Sequence, residues 1–284
     1  MSRPEHLAPP EIIYGGDEAK KYTANSRIAA IQAEMAGRAL ELLNLPEGFP
    51  GYILDIGCGS GLSGEVLEEA GHIWVGFDIA PAMLEVALEQ EASGDLFLQD
   101  AGQGMAFRPG TFDGCISISV LQWLCNADKA SHHPKQRLQR FFSTLYSSLR
   151  RGARAIFQFY PENDDQIQLI MGVAVRCGFE GGLVVDYPNS KKAKKFYLCL
   201  FAGQEVPGMQ QQLPRGLGEE EMGEPQEGGV SYTSKKRTGR VSSNKRRPLK
   251  DKNWVLKKKE QARLKGEKTA SDSRYTARKR RPQF

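Results

Sequence analysis

The sequence has no closely spaced cysteine pair, few histidines and no long apolar run, and each lack excludes a class of protein. Its five cysteines include no C-x-x-C pair, and only His132 and His133 of its four histidines are adjacent. This pattern disfavours a disulfide framework and a zinc site of the chain's own, and it indicates reduced, mostly buried thiols. No apolar stretch approaches the roughly 20 residues that span a bilayer, so no membrane contact is expected. The first residues lack the basic and apolar regions of a signal peptide, and we expect an intracellular protein.

Charge is divided unevenly along the chain. The net charge is +5, yet residues 230–284 carry twenty Lys/Arg against four Asp/Glu, a net +16, which leaves −11 for residues 1–229. An acidic body with a basic end indicates that the end, rather than the fold, meets a polyanion. Residues 203–230 are rich in Gly, Glu, Gln and Pro. They predict a flexible linker, followed by a basic tail at 231–284.

The tail combines basic clusters with aromatic residues. The clusters are Lys235-Lys236-Arg237, Lys245-Arg246-Arg247, Lys257-Lys258-Lys259 and Arg278-Lys279-Arg280-Arg281, with Tyr232, Trp254 and Tyr275 among them. Such clusters neutralise phosphates while aromatic rings stack on bases. They also serve as nuclear-import signals, and one segment can do both. RNA binding, import and a merely solvated run of charge all remain open.

Hydrophobic periodicity predicts an α/β domain at residues 46–202, behind a helical segment at 1–45. In that segment Asn25 or Ser26 provides a helix cap. After residue 46, strands alternate with single helices, which implies right-handed crossovers and a mostly parallel sheet with helices on both faces. The last two predicted strands have no room for a helix between them, so one of them is reversed. We therefore expect a single Rossmann-like domain whose seven-stranded, mostly parallel sheet has one antiparallel strand.

Glycines are concentrated between the first strand and the helix that follows, where they let the backbone approach a ligand closely. Residues 59–64 also satisfy the dinucleotide-binding fingerprint, and Asp78 stands where a ribose-binding acid belongs. Three features favour S-adenosylmethionine over a nicotinamide. Asp55 suits a cationic ligand, Asp100 suits the adenine amino group, and the reversed strand is typical of methyltransferases. Each acid also has a structural alternative: organising the glycine loop for Asp55, a turn for Asp100 and a helix cap for Asp78.

The segments after the fourth and fifth strands lie on the ligand side of the predicted sheet. Trp123 has a ring that can stack on a base, although a place in the core suits it about as well. No general base is evident, which fits an acceptor with a free lone pair such as a purine ring nitrogen. We therefore name no catalytic residue and no metal ligand. The candidates for positioning the target are Trp123, Asn126, Tyr160 and Glu162.

The third predicted strand, Leu96-Phe97-Leu98, lies at a sheet edge in this architecture. A short apolar edge with Met105 and Phe107 nearby invites a partner chain to add a strand. A local loop covering the edge is an equal alternative on physical grounds.

Longer motifs extend beyond the glycine loop. They are Pro9-Pro10-Glu11, Lys21-Tyr22, Asn25-Ser26-Arg27, the run from Leu54 to Gly59, the run from Thr111 to Ser119, the run from Gln122 to Ala127, Tyr160-Pro161-Glu162-Asn163, the run from Val184 to Ser190, and Arg278-Lys279-Arg280. Together they resemble the eukaryotic 18S ribosomal RNA guanine-N7 methyltransferases, a ribosome-biogenesis family with the class I methyltransferase fold. Only residues 203–230 look unrelated.

The resemblance implies a nuclear enzyme of the nucleoplasm and nucleolus, with a cytoplasmic or perinuclear pool as an option. It implies methylation of guanine N7 in 18S rRNA and support of pre-40S maturation; an assembly factor for which methylation is dispensable stays open. It also implies a small zinc-binding methyltransferase activator docked on the third strand. The N-terminal segment, 1–45, is implied to cover the donor site, with Tyr22 and Arg27 closing over the donor or the target. The predicted donor-binding residues are Tyr22, Arg27, Asp55, Gly57, Gly59, Gly61, Asp78, Ile79, Asp100 and Ser119.

Overall fold

The computed structural model describes residues 3–48, 50–129, 131–190, 192–203, 211–218 and 230–231, together with positions 256, 259, 263, 269 and 271. The chain forms two compact units, Met1–Ser234 and Lys235–Phe284, and the sheet lies in the first. Within the described residues, no helix is long and apolar enough to cross a membrane. The basic clusters and aromatic residues predicted for the tail lie almost entirely outside the described residues.

The first unit is built on one sheet with the strand order β3-β2-β1-β4-β5-β7-β6-β8. Its strands are β1 Tyr52–Ile56, β2 Ile73–Asp78, β3 Asp95–Leu98, β4 Phe112–Ile118, β5 Leu149–Phe159, β6 Glu180–Asp186, β7 Lys195–Phe201 and β8 Val230–Ser231. The first five strands pair in parallel, whereas β7 runs antiparallel to both β5 and β6. For the seven predicted strands, the mostly parallel sheet with one reversed strand is confirmed.

Within the described residues, the sheet has an eighth strand beyond the seven predicted, and this strand is also reversed. The two-residue strand β8 pairs antiparallel with β6, through Gly182 with Ser231 and Leu183 with Val230. It was missed because ladder pairing of two residues uses backbone groups, and so leaves no apolar period in the sequence.

Helices cover both faces of the sheet, as predicted. They are α1 Pro10–Ile13, α2 Asp17–Ala24, α3 Ser26–Leu43, α4 Leu62–Glu69, α5 Pro81–Glu89, α6 Leu121–Leu124, α7 Pro134–Ser148 and α8 Asp164–Arg176. On one face α3 packs Met35 and Ala39 into a buried cluster that includes Trp74. On the other, α7 contributes Phe141 and Phe142 to a larger cluster shared with α8. The two apolar layers fix the sheet and its carboxyl edge between them.

The start of α3 is set by Asn25, one of the two predicted caps. Its side-chain oxygen accepts hydrogen bonds from the backbone N–H groups of Arg27, at 3.1 Å, and Ile28, at 3.2 Å. These bonds satisfy two donors that have no partner inside the helix. Asn25 therefore links the short helices of the N-terminal segment to the long helix that covers the sheet.

Replacing Asn25 by alanine is expected to lower the free energy of unfolding by about 1 kcal/mol, because both N–H groups lose their acceptor. Urea denaturation followed by circular dichroism measures the change. Ser26→Ala, one residue further along, is the matched control and should change stability by less than about 0.5 kcal/mol. Equal losses in the two variants would show that the cap does not stabilise α3.

Residues 211–218 pack along the domain, although they fall in the stretch predicted to be a flexible linker. Asp186, at the end of β6, accepts hydrogen bonds from Arg38 Nε at 3.0 Å and from the backbone N–H of Leu217 at 2.9 Å. The guanidinium of Arg38 also donates to the carbonyl of Arg215 at 3.1 Å. One buried carboxylate thus joins α3, β6 and the segment beyond β7. Polar composition gave no sign of it, since the partners are far apart in sequence.

The apolar strand β3 lies at the sheet edge, as predicted. Phe97 is 47% exposed and Leu98 63% exposed, so their side chains face solvent. Leu96 and Phe107 are partly buried against the core, and Phe107 packs edge-on against Phe97 with ring centroids 6.2 Å apart. Met105, by contrast, is buried in the core, which removes it from the surface predicted to meet a partner.

Candidate active site

A cavity opens at the carboxyl ends of β1, β2, β3 and β4. Its wall comprises the glycine loop after β1, Asp78 and Ile79 after β2, Asp100 after β3 and Ser119 after β4. The N-terminal segment supplies the opposite wall through residues that include Tyr14 and Tyr22. This is the place where ligands bind in open α/β sheets, because the loops after parallel strands converge there.

The glycine loop needs glycine at the two positions closest to the cavity. Gly57 has a φ of 72°, and a Cβ built there would lie 2.2 Å from Cγ2 of Val120. Gly59 has a φ of 55°, and its Cβ would lie 2.9 Å from the terminal methyl of Met83. Both positions combine left-handed backbone with close packing. A side chain at either position would strain the backbone and collide with Val120 or Met83.

Asp78 connects the glycine loop to the end of β2. Its carboxylate accepts hydrogen bonds from the backbone N–H of Gly59, at 3.0 Å, and of Ala80, at 2.8 Å. Burial raises the pKa of Asp78 above its usual value, while the bonds from Ala80, Gly59 and Ile79 oppose that rise. A carboxylate offers about four acceptor sites, so free lone pairs remain on the cavity side. Asp78 thus has both the position and the capacity to accept hydrogen bonds from a ribose diol.

Asp55 lies behind the loop instead of in the cavity wall. Its residue is fully buried and its carboxylate accepts a hydrogen bond from Ser63 Oγ at 2.5 Å. Burial raises the pKa of Asp55 to about 7, the bond from Ser63 acts against this, and the charge of Asp78 adds to it. Asp55 is not among the residues that line the cavity, and the direct donor contact predicted for it stays a prediction. In the structure, Asp55 joins β1 to the first turn of α4 on either side of the glycine loop. This resembles the alternative in which Asp55 organises that loop, but the bond comes from the Ser63 side chain.

Asp100 lies in the cavity wall, but its carboxylate already accepts hydrogen bonds from other residues of the chain. The guanidinium of Arg137 donates to both of its oxygens, each at 2.9 Å, and the backbone N–H of Gly102 donates at 2.8 Å. Burial alone would raise the pKa of Asp100, but Arg137 and Gly102 outweigh it and hold the pKa below its usual value. An ionised acceptor therefore faces the cavity with most of its lone pairs in use. Sequence reasoning missed Arg137, whose one signal was a charge on the apolar face of α7.

Seven of the ten residues predicted to bind the donor line the cavity: Tyr22, Gly57, Gly59, Asp78, Ile79, Asp100 and Ser119. Asp55, Gly61 and Arg27 do not. Gly61 caps the start of α4 with a φ of 92°, and Arg27 is exposed on α3. Among the described residues, no group of three or more His, Cys, Asp or Glu is placed to hold a metal ion.

Comparison with known proteins assigns the family. Residues 54–157 match a family described as "Methyltransferase domain", and residues 200–282 match "Methyltransferase involved in Williams-Beuren syndrome". The 18S rRNA (guanine-N(7))-methyltransferase of Mus musculus is 54% identical over 282 residues, which cover 99% of this chain and 98% of that protein. The chain belongs to the 18S rRNA (guanine-N7)-methyltransferase family.

Two further relatives of this methyltransferase, the enzymes of Saccharomyces cerevisiae and Arabidopsis thaliana, support the same assignment. The 18S rRNA (guanine(1575)-N(7))-methyltransferase of Saccharomyces cerevisiae is 50% identical over 285 residues, covering all of both chains. The enzyme of the same family from Arabidopsis thaliana is 52% identical, over 100% of this chain and 99% of that one. Among solved structures, a TehB-like SAM-dependent methyltransferase from Corynebacterium glutamicum is 19% identical, with a TM-score of 0.47, over 66% of this chain and 99% of that one.

The methyltransferase cavity has an aromatic side. The rings of Tyr22 and Tyr14 meet edge-on with centroids 5.4 Å apart, and those of Tyr14 and Trp123 follow at 6.0 Å. All three line the cavity. Tyr14 was not predicted, because it lies in an irregular lead where no periodicity marks it. The three rings form an apolar wall against which a flat base can stack.

The other three target-positioning candidates of this methyltransferase lie beside the cavity, outside its lining. Each is held by the N-terminal 3-10 turn at Pro4–His6 or by the residue before it. Asn126 Nδ2 donates to the carbonyl of Glu5 at 3.1 Å, and Arg3 Nη1 donates to the carbonyl of Tyr160 at 2.8 Å. Nε2 of His6 lies 3.5 Å from the carboxylate of Glu162. The three candidates thus form a rim that the start of the chain stabilises.

Proposed function

We propose that this chain transfers a methyl group from S-adenosylmethionine to N7 of a guanine in 18S ribosomal RNA. The observation that carries the proposal is the cavity with the glycine loop and Asp78, in a chain at least 50% identical end to end to enzymes of that name. Bound S-adenosylmethionine would supply the methyl group on a sulfonium, from which the neutral thioether S-adenosylhomocysteine leaves readily. The glycine loop and Asp78 would hold it, with Asp100 and Arg137 on the adenine side.

The acceptor chemistry suits what this chain presents. Guanine N7 has a free lone pair and no proton, so the reaction needs alignment and exclusion of water more than it needs a general base. Trp123, Tyr14 and Tyr22 would stack on the target and keep the site dry. Asn126, Tyr160 and Glu162 lie at the rim, where they would hydrogen-bond the base or its neighbours.

A partner chain is proposed on the edge of β3. The side chains of Phe97 and Leu98 are exposed, and among the described residues no strand pairs with the outer edge of β3. Both features favour addition of a strand from another protein. The resemblance of the motifs suggests that this partner is the small zinc-binding methyltransferase activator. Because Met105 is buried, the proposed contact narrows to Leu96, Phe97, Leu98 and Phe107.

The proposed substrate also gives a place of action. Modification of ribosomal RNA within pre-40S particles puts the protein in the nucleus and nucleolus, with a cytoplasmic or perinuclear pool as an extension. The basic tail, with twenty Lys/Arg in residues 230–284, is proposed to bind RNA, to direct nuclear import, or to do both.

Mapping N7-methylated guanines in 18S rRNA tests the proposal. Cells lacking the protein are expected to lose the modification at one guanine, and the wild-type chain should restore it. A donor-blind Asp78→Ala chain, expressed at the same level, is expected to leave that guanine unmodified. An unchanged methylation map in the absence of the protein refutes the proposed activity.

The same cells separate the enzyme from the alternative assembly factor. If the Asp78→Ala chain restores normal 40S maturation while the guanine stays unmodified, assembly needs the fold but not the methyl group. If maturation fails in step with methylation, the assembly-factor hypothesis is excluded.

A further inference from the structure

Three lysines lie on the same edge of the sheet as the cavity. Lys192, Lys194 and Lys195 belong to the turn between β6 and β7 and to the first residue of β7. In the sheet register Phe196 faces Phe159, the last residue of β5, whose carboxyl end carries Tyr160. The turn therefore stands at the carboxyl edge, beside the rim that the target must cross.

As far as the described residues show, these lysines lack the acidic partners found elsewhere in the domain. Lys20 pairs with Glu89 at 2.8 Å, and Lys21 pairs with Glu18 at 2.6 Å. Within the described part of the chain, no carboxylate lies within 4.0 Å of the ammonium groups of Lys192, Lys194 and Lys195. A local cluster of unpaired cations stands out in a body whose net charge is −11 over residues 1–229.

Two of the ammonium groups are held against aromatic rings. Lys195 Nζ donates to Tyr160 Oη at 3.2 Å and lies 5.3 Å from the centre of that ring. Lys194 Nζ lies 4.9 Å from the centre of the Phe196 ring. Cation–π contact fixes a flexible lysine without neutralising its charge. Tyr160 is itself 37% exposed, so its ring offers a surface to a ligand beside the fixed cations.

We propose that Lys192, Lys194 and Lys195 bind backbone phosphates of the RNA strand that presents the target guanine, with Tyr160 as the adjoining base platform. The inference rests on the proposed RNA methylation. It adds contacts to the RNA backbone to the contacts proposed for the target base. Two cations held by aromatic rings, a third lysine beside them and the exposed ring of Tyr160 together offer the charge and the stacking surface that single-stranded nucleic acid binds. An acidic peptide would satisfy the charges but would make no use of the ring.

The salt dependence of RNA binding tests whether these three lysines bind phosphates. Each lysine is replaced by glutamine, singly and together, in the full chain, and binding of an 18S rRNA transcript is measured over a range of KCl concentrations. The slope of log K against log salt is expected to become shallower by about 0.7 for each phosphate that the variant no longer neutralises, hence by about 2 for the triple variant. The tail is intact in every variant, so its contribution to the slope stays constant.

Steady-state kinetics separates binding of the RNA strand, which affects KM, from alignment of the target base with the methyl group, which affects kcat. The triple variant is expected to raise KM for RNA about tenfold with little change in kcat, because uniform binding is removed. Affinity for S-adenosylhomocysteine should stay at the wild-type value. Lys195→Arg keeps the charge and the ring contact, so its slope should match that of the wild type.

Arg108→Glu, an exposed charge change before β4 at the opposite edge of the sheet, is the matched control and should leave the slope unchanged. If the triple variant shows the wild-type salt slope, the three lysines do not bind phosphates and the proposal is wrong, even if the activity of the variant is reduced. If the triple variant has a shallower slope but the wild-type chain methylates no guanine, the proposed function is wrong while the phosphate-binding role of the three lysines is supported. The two failures are therefore distinguishable.

Discussion

Asp78→Ala is expected to weaken donor binding roughly a hundredfold, since hydrogen bonds to a charged group contribute about 1.5–3 kcal/mol each and 1.4 kcal/mol is tenfold. The variant loses the acceptor for a ribose diol. It also releases the N–H of Gly59, which Asp78 holds at 3.0 Å, so the glycine loop is no longer connected to β2. Isothermal titration with S-adenosylhomocysteine measures the affinity.

A second carboxylate of the same sheet provides the control. Asp113, at the amino end of β4, accepts a hydrogen bond from the backbone N–H of Tyr52 at 2.9 Å and pairs with Arg150. Asp113→Ala also removes an acceptor from the sheet, but at the edge away from the cavity, so donor affinity should be retained. Undiminished affinity in folded Asp78→Ala protein would falsify the assignment of Asp78 to the donor.

The parts of the site that the sequence predicted are those encoded by short, local patterns. Gly57 and Gly59 stand where a strand meets a helix, and Asp78 ends the next strand, so spacing alone places them at one edge of a parallel sheet. Trp123 follows β4 by the same logic and lines the cavity. For these residues, topology converts position in sequence into position in space.

Contacts between distant parts of the chain were beyond that reasoning. Asp55 shares the strand-end position of Asp78, yet its side chain turns inward to Ser63, and no pattern distinguishes the two directions. Arg137 meets Asp100 across 37 positions, so the acceptor predicted for adenine is partly used by a residue that spacing could not identify. The role of Arg3 at the rim is of the same kind, since it contacts Tyr160 from the other end of the domain.

Removing the buried carboxylate of Asp186 is expected to cost about 3 kcal/mol of unfolding free energy, because breaking one partner of a buried ion pair leaves the other charge uncompensated. The side chain of Asp186 is 3% exposed and that of Arg38 15%. Asp186→Ala also leaves the N–H of Leu217 without its acceptor, so residues 211–218 should become more sensitive to limited proteolysis than the rest of the domain.

Glu41, the exposed partner of Arg38, provides the comparison that shows whether the stability lost in Asp186→Ala comes from breaking a buried ion pair. Glu41 pairs with Arg38 at 2.8 Å, but its side chain is 66% exposed, so Glu41→Ala should cost less than about 0.5 kcal/mol. Denaturant unfolding of both variants, with Arg38→Ala and the Arg38→Ala/Asp186→Ala double variant, completes a double-mutant cycle. A coupling near zero would mean that Asp186 stabilises the domain without Arg38. A large coupling, with the proteolytic cut confined to residues 211–218, is the result expected if this pair attaches the segment beyond β7 to the methyltransferase domain.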